Sequence, residues 1–316
     1  AAEAACGHSY GELLALCCAG RITPDALHQL SNLRGRLMAG GNGDRGAMLA
    51  VQADEAAVLE FLRQENGDLV IANRNSPQQI VLAGPTERIK RAAGELSRRS
   101  IRSRVLQVSA AFHSLLVADA QAPFAAALGA VAFARGRMPV YANSTGGEYP
   151  RTDGEARDLL AHQIVRPVNF MQQIQAMYAD GVRTFVEIGP GHVLSDLVQS
   201  ILPGEVESIA LDASKGARSG SFDLALALAR LASLGHEVDL AKWEHAPAAA
   251  EVSSSKPAFT VALSGANHRA PRAARAPSAP KPAPGQSAGA ASADVTSQAG
   301  AALVARSFAP AVANKS

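Results

Sequence analysis

Apolar residues along this chain fall into short runs whose period alternates between that of a strand and that of a helix. Ala4-Ala5-Cys6 is a brief apolar run. Leu13, Leu14, Leu16 and Cys17 then give a helical face that stops at Gly20. Thr23-Pro24-Asp25 is a helix start, with Thr23 as N-cap and Pro24 at the first helical position. Leu27, Leu30, Leu33 and Leu37 continue that helix to Gly40-Gly41. Residues 46–51 read as a strand, and Asp54 caps a helix carrying Val58, Leu59 and Leu62. Leu69–Ala72 and Gln79–Leu82 read as two strands around a turn at Asn73–Pro77. A helix over Pro85–Arg99 and a strand over Ile101–Val108 complete the order β-α-β-β-α-β, the split βαβ unit of ferredoxin-like folds. Beyond it, strands at 139–143, 184–188 and 206–211 alternate with helices around 159–164, 170–177, 194–201 and 222–235. The expected fold class is α/β: a mostly parallel sheet covered by helices on both faces, with the ferredoxin-like unit inserted.

The pattern fades near Ala246. Eight of the 17 prolines lie in residues 246–316, among Ala, Ser and Gly, so this stretch reads as a disordered Pro/Ala-rich linker. Within it, Lys256–Asn267 could form a strand-like strap. The expected division is therefore 1–45 with 109–245 as the α/β core, 46–108 as the inserted subdomain and 246–316 as linker. Net charge is +2, but the linker holds seven Lys/Arg against two acids, leaving 23 against 26 in residues 1–245. Bases are scattered and aromatics make up only 4%, which speaks against a nucleic-acid groove. Cys6, Cys17 and Cys18 crowd one end, arguing for a reducing, cytoplasmic compartment rather than a disulfide framework. No apolar run is long enough to span a membrane, and the N-terminus does not resemble a signal peptide. Ala1-Ala2-Glu3 without an initiator Met points to an excised or truncated piece.

Candidate chemistry centres on Gly7-His8-Ser9-Tyr10-Gly11-Glu12, which has the form G-x-S-x-G between an apolar run and a helix. Flanking glycines let a serine sit at a strained strand-to-helix turn with its Oγ exposed above a sheet, and the following helix aims N–H groups at an oxyanion. A plain Gly/Ser turn is the alternative. A nucleophilic serine needs a base, and the chain has eight histidines. His8 would point away from a tight elbow, and His268 lies in the linker. His113, in Ser109-Ala110-Ala111-Phe112-His113-Ser114, could reach the sheet edge that carries Ser9. Arg34 lies beside the apolar stripe of its helix, where a solvated arginine is the ordinary reading.

Taken together these segments resemble the malonyl-CoA:acyl-carrier-protein acyltransferase family. The resemblance rests on Gly-His-Ser-x-Gly-Glu, on Arg34-Gly35 with Met38, and on Asn73-x-Asn75-Ser76-Pro77-x-Gln79. It rests further on Ala111-Phe112-His113-Ser114, Gln163 ahead of Pro167-Val168, and Glu187-x-Gly189-Pro190-Gly191. These motifs cover residues 7 to about 235 in the family's order. Lys256-Pro257 through Asn267, followed by the Pro/Ala stretch, is similar to acyltransferase domains of polyunsaturated fatty acid synthases or iterative polyketide synthases, where such a linker leads to carrier domains.

The resemblance implies a ping-pong transferase with Ser9 as nucleophile and His113 as its base. The main-chain carbonyl of Gln163 would hold the other imidazole nitrogen, and Tyr10 N–H would be one oxyanion donor. Arg34 would bind the malonyl carboxylate, while Phe112 and Ala110 occupy the family's acyl-selectivity motif, whose first position is usually histidine. Neither metal nor bound cofactor is implied: malonyl-CoA and the phosphopantetheine of an acyl carrier protein are substrates. The implied partners are that carrier, C-terminal in the same parent chain, and a ketosynthase domain, with neither nucleic acid nor membrane. Family members also carry an upstream strand and Gln-containing loop that supply the second oxyanion donor, and neither precedes Ser9 here. This chain is therefore expected to be weakly active or inactive. The competing readings are a serine acyl-hydrolase or esterase of the same fold and a non-catalytic docking fragment of a megasynthase.

Overall fold

A computed structural model describes residues 2–40, 43–65, 67–239 and 302–307. In chain order the elements are β1 (Ala4–Gly7), α1 (Gly11–Cys18), α2 (Pro24–Ala39), β2 (Ala47–Val51), α3 (Glu55–Gln64), β3 (Val70–Ser76), β4 (Gln79–Gly84), α4 (Thr86–Arg98) and β5 (Ser103–Val105). A 3-10 turn (Leu115–Ala120) leads into α5 (Gln121–Gly129). Then follow β6 (Val140–Tyr141), α6 (Asp153–Gln163), α7 (Phe170–Ala179), β7 (Val182–Ile188), α8 (Val193–Ile201), β8 (Glu207–Ala210), α9 (Gly220–Ser233) and β9 (Ala302–Ser307).

The larger sheet has the order β6-β1-β9-β7-β8. Strand β1 is parallel to β6, and β7 is parallel to β8. Strand β9 is antiparallel to both β1 and β7, so the other four strands all run one way. The period-2 alternation of β1 divides the core. Ala5 faces a cluster with Leu13, Leu16, Leu30, Phe124, Leu128 and Leu160, which α1, α2, α5 and α6 supply. Ala4 and Cys6 face the opposite cluster of Phe170, Ile174, Met177, Phe185, Leu194 and Val198 from α7, β7 and α8. The α/β architecture with helices on both faces is thus present, and no described helix is long and apolar enough to cross a membrane.

The smaller sheet has the order β3-β4-β2-β5, all antiparallel, the strand order of a ferredoxin-like unit. On β4, Ile80 and Leu82 pack under α3 and α4 with Phe61, Ile89 and Leu96. Val81 and Ala83 turn the other way, toward Ala111, Phe112 and Leu116. The unit's entry and exit meet where Ala111 N–H donates to the Arg45 carbonyl at 2.8 Å. Gly46 next to it has φ +75°, and a Cβ there would press on Ala111 and Leu116.

Two expectations change. Residues 302–307, placed by composition inside the linker, form β9 in the middle of the larger sheet. The reason is local: Ala-Leu-Val-Ala-Arg-Ser is free of Pro and Gly, and the backbone groups of β1 and β7 that face each other need partners. Residues 73–76, expected as a turn, extend β3 instead, because Arg74 N–H donates to the Val168 carbonyl at 2.8 Å and Asn73 bridges Val168. The Lys256–Asn267 strap lies outside the described residues.

Candidate active site

Strand β1 ends at Gly7, and the chain turns sharply into α1. A Cβ on Gly7 would collide with the backbone of Gly11 and Glu12, so this turn requires glycine at position 7. Ser9 at its apex has φ +52°, in the left-handed region that costs a non-glycine residue about 1–3 kcal/mol. His113 has φ +59°, also left-handed. Two of the strained residues thus lie where the structure brings them into contact: Ser9 Oγ is 2.8 Å from His113 Nε2.

The tautomer follows from the other side of the ring. His113 Nδ1 lies 3.0 Å from the Gln163 carbonyl and 3.0 Å from the Arg166 carbonyl, and a nitrogen between two acceptors must carry the proton. Nε2 is then a bare acceptor, and the Ser9 hydroxyl donates to it. The two carbonyls, one from the last residue of α6 and one from three residues beyond it, hold the ring from the same side. His113 is buried. Burial first, then the positive charge of Arg34, hold its imidazole down to about 3.

Arg34 is 9% exposed, not solvated as an isolated helix position would be. Thr23 caps α2 by accepting from Ala26 N–H at 3.1 Å, and the helix carries Arg34 toward the elbow. Its Nη2 donates to Ser9 Oγ at 3.2 Å, and its guanidinium lies 5.9 Å from the Tyr10 ring centroid. Tyr10 is held there by its hydroxyl, 2.8 Å from Ser31 Oγ one turn earlier on α2. Burial lowers the Arg34 guanidinium to about 10, opposed by the nearby Glu12 carboxyl, so it remains charged at neutral pH. Among the described residues no carboxylate forms an ion pair with this guanidinium, whose planar fork suits an incoming anion.

Tyr10 is also the first residue after the serine, and among the described residues its N–H has no intramolecular acceptor, whereas Gly11, Glu12 and Leu13 N–H groups are all engaged. Ala110 is fully buried in the cluster under α1 and α2, and Phe112 is half-buried between that cluster and the small sheet. His8 points away from the elbow, with Nε2 2.8 Å from Asn75 Oδ1 on β3 and its ring edge-on to Phe170. Glu187 of the Glu-x-Gly-Pro-Gly motif accepts from Leu194 and Ser195 N–H groups at 3.1 and 2.7 Å, which caps α8.

Two residues had drawn no role from the sequence. Asn143, just past β6, accepts from Ser9 N–H through Oδ1 at 2.6 Å and donates through Nδ2 to the Gly7 carbonyl. Glu12 is completely buried on α1. It accepts from Asn143 N–H and from Gln163 Nε2, each at 3.2 Å, and from the Tyr149 hydroxyl. A carboxylate on the apolar side of α1 was the available signal, since a buried acid must find donors.

Comparisons with known proteins bear on the family and the fold. The family model for the acyl transferase domain matches residues 1–217. Polyketide biosynthesis protein ThaF of Burkholderia thailandensis is 40% identical over 199 residues, covering 62% of this chain and 17% of that protein. The malonyl CoA-acyl carrier protein transacylase of Bacillus subtilis is 34% identical over 203 residues, covering 62% of this chain and 63% of its own length. The crystal structure of the acyltransferase domain from the second module of the salinomycin polyketide synthase superposes with a TM-score of 0.69 at 30% identity. That match covers 76% of this chain and 56% of the solved one, so this chain spans only part of each protein it matches. With its strained serine, the histidine against it and the buried arginine beside both, the chain belongs to the acyl transferase family.

Proposed function

We propose that this chain moves a malonyl group from coenzyme A to the phosphopantetheine thiol of an acyl carrier protein through an ester on Ser9. The observation that carries the reading is the convergence on one oxygen: Ser9 Oγ meets the acceptor nitrogen of His113 at 2.8 Å and the guanidinium of Arg34 at 3.2 Å. His113 Nε2 takes the hydroxyl proton as Ser9 Oγ attacks the thioester carbonyl. The tetrahedral oxyanion forms beside Tyr10 N–H and collapses by breaking the C–S bond. The imidazolium returns its proton to the departing CoA thiolate. The phosphopantetheine thiol then attacks the seryl ester with His113 as base, and Ser9 leaves with the proton. The transfer uses no metal or redox cofactor. Arg34 supplies the charge that a malonyl carboxylate needs in a buried pocket, and a neutral acyl group leaves it unpaired. Phe112 crowds a branch on the acyl chain. The name of the Bacillus subtilis relative supports this choice of donor and acceptor. A carrier domain and a ketosynthase of a polyketide or polyunsaturated fatty acid synthase are the partners that fit.

The test is incubation with radiolabelled malonyl-CoA, followed by isolation of protein-bound label. A slowly formed adduct is expected in the wild type, in keeping with weak activity, and none in Ser9→Ala. Arg34→Ala should cut adduct formation by roughly two orders of magnitude, the cost of removing one member of a buried charge pair (about 3 kcal/mol), and narrow the preference over acetyl-CoA. Free malonate without an adduct or carrier loading would indicate a hydrolase, and no adduct at all would refute the transferase reading.

A further inference from the structure

The proposed mechanism uses Ser9, His113 and Arg34 and leaves unexplained a fully buried acid between them. Glu12 Oε2 receives two hydrogen bonds, from Gln163 Nε2 and from Asn143 N–H, each at 3.2 Å. Both donors go on to touch the reacting pair. Gln163 Nε2 also donates to the Ser9 carbonyl at 2.7 Å, and the carbonyl of the same residue receives His113 Nδ1–H at 3.0 Å. Asn143 Oδ1 receives Ser9 N–H at 2.6 Å, and its Nδ2 donates to Gly7 across the turn. One side chain therefore fixes the end of α6 that orients the imidazole and the strand end that clamps the strained serine. The Tyr149 hydroxyl closes off the remaining oxygen, Oε1.

We infer that Glu12 is a positioning residue for acyl transfer, setting the distance and angle between Ser9 and His113 through Gln163 and Asn143. The inference rests on Ser9 and His113 being the reacting pair, but not on which acyl group they carry. Its chemistry is hydrogen-bond acceptance and not charge. Gln163 and Asn143 can donate to a carboxylate, a carboxylic acid or a carboxamide oxygen alike, and the Tyr149 hydroxyl can turn to accept. Glutamine at this position should therefore serve, and alanine should not. Strain sharpens the requirement: a serine at φ +52° and a histidine at φ +59° persist only if the surroundings over-determine them.

The experiment labels Ser9 of the full chain with diisopropyl fluorophosphate, a neutral probe that needs serine and base but no partner for Arg34. Saturating kinetics separate probe affinity from the maximal rate of phosphorylation. Glu12→Ala is expected to lower the maximal rate by about 10²-fold, the effect of a misplacement near 1 Å, with probe affinity unchanged. Glu12→Gln should recover most of that loss. Gln163→Ala, which keeps the carbonyl on His113, should slow labelling, and combining it with Glu12→Ala should cost no more than Glu12→Ala alone. Should Glu12→Ala fail to fold, Glu12→Asp, which withdraws the carboxylate by one methylene and keeps its charge, replaces it in the same comparisons with Glu12→Gln and Gln163→Ala. Wild-type rates in a folded Glu12→Ala, a loss wholly in affinity, or equal slowness of the alanine and glutamine variants would overturn the inference. So would additive losses in the double variant, or a wild-type protein that does not label. A wild type that labels with the phosphate probe but forms no malonyl adduct would refute the proposed function and leave this inference standing.

Discussion

At the residue scale, His113 and Glu12 are buried groups whose protonation is displaced in opposite senses. Burial and Arg34 take His113 down from 6.5 to about 3, so between those pH values the unfolded chain binds a proton that the folded chain refuses. This group therefore opposes folding increasingly as pH falls through that window, by about 1.4 kcal/mol per pH unit, and contributes nothing above 6.5. Burial takes Glu12 up from 4.5 to about 7 despite its donors Tyr149, Asn143 and Gln163, so the folded chain holds a proton there that the unfolded chain has lost. That contribution to stability is complete below 4.5 and fades as pH rises toward 7. Over pH 4.5 to 6.5 the two slopes oppose each other. Glu12→Gln deletes one and keeps the other. Its unfolding free energy should fall on acidification through this window more steeply than that of the wild type, by about 1.4 kcal/mol per pH unit. Denaturant unfolding of both proteins at three pH values across the window measures this directly. Parallel slopes would mean that Glu12 titrates normally. The same displacement keeps His113 a free base throughout the neutral range, which the transfer requires.

At the level of elements, the site depends on three segments arriving together, and they differ in how legible they were. Helix α2 was readable because its signals are local: Thr23 and Pro24 start it and its leucines keep the period. The elbow was readable because Gly7 is required by a turn of a few residues. Strand β3 was misread beyond Ala72, since Asn73-Arg74-Asn75-Ser76 has turn composition and the contacts that extend it come from Val168. Asn143 and Glu12 were not assigned because their bonds join residues 131 apart. The extended β3 matters because it delivers Asn75 to His8, beside the nucleophile. Asn75→Ala leaves the buried His8 ring without that partner and should cost about 1–3 kcal/mol. Urea unfolding should show a lower midpoint with an unchanged m-value. A loss below about 0.5 kcal/mol, typical of surface substitutions, would show that the inserted unit is not held to the elbow through this pair.

For the molecule as a whole, β9 decides whether the larger sheet is one object or two. Without it the pairing consists of β1 with β6 and β7 with β8, two parallel pairs whose inner edges face each other. Strand β6 pairs with Ala5 and Cys6 only, whereas β9 pairs with each residue from Ala4 to Gly7. The strand that leads into the nucleophile's turn therefore has most of its ladder from a segment nearly 300 residues away in the chain. The two apolar clusters lie on opposite faces of this sheet, so joining its halves also holds them in place. Because β9 is flanked on both sides, proline within it must remove a ladder donor and leave a buried carbonyl unpaired, which an edge strand would escape. Val304, opposite Ala5 on one side and Val186 on the other, is the central position to test. Val304→Pro should lower unfolding free energy by about 1–3 kcal/mol, the cost of one unsatisfied buried group, and should slow Ser9 labelling by freeing the end of β1. Val304→Ala keeps the backbone N–H and so the ladder donor, and should leave Ser9 labelling near wild type. If proline at 304 changes neither stability nor labelling, β1 and β7 do not depend on this strand, and the nucleophile is held by β6, Asn143 and the Gly7–Gly11 turn alone.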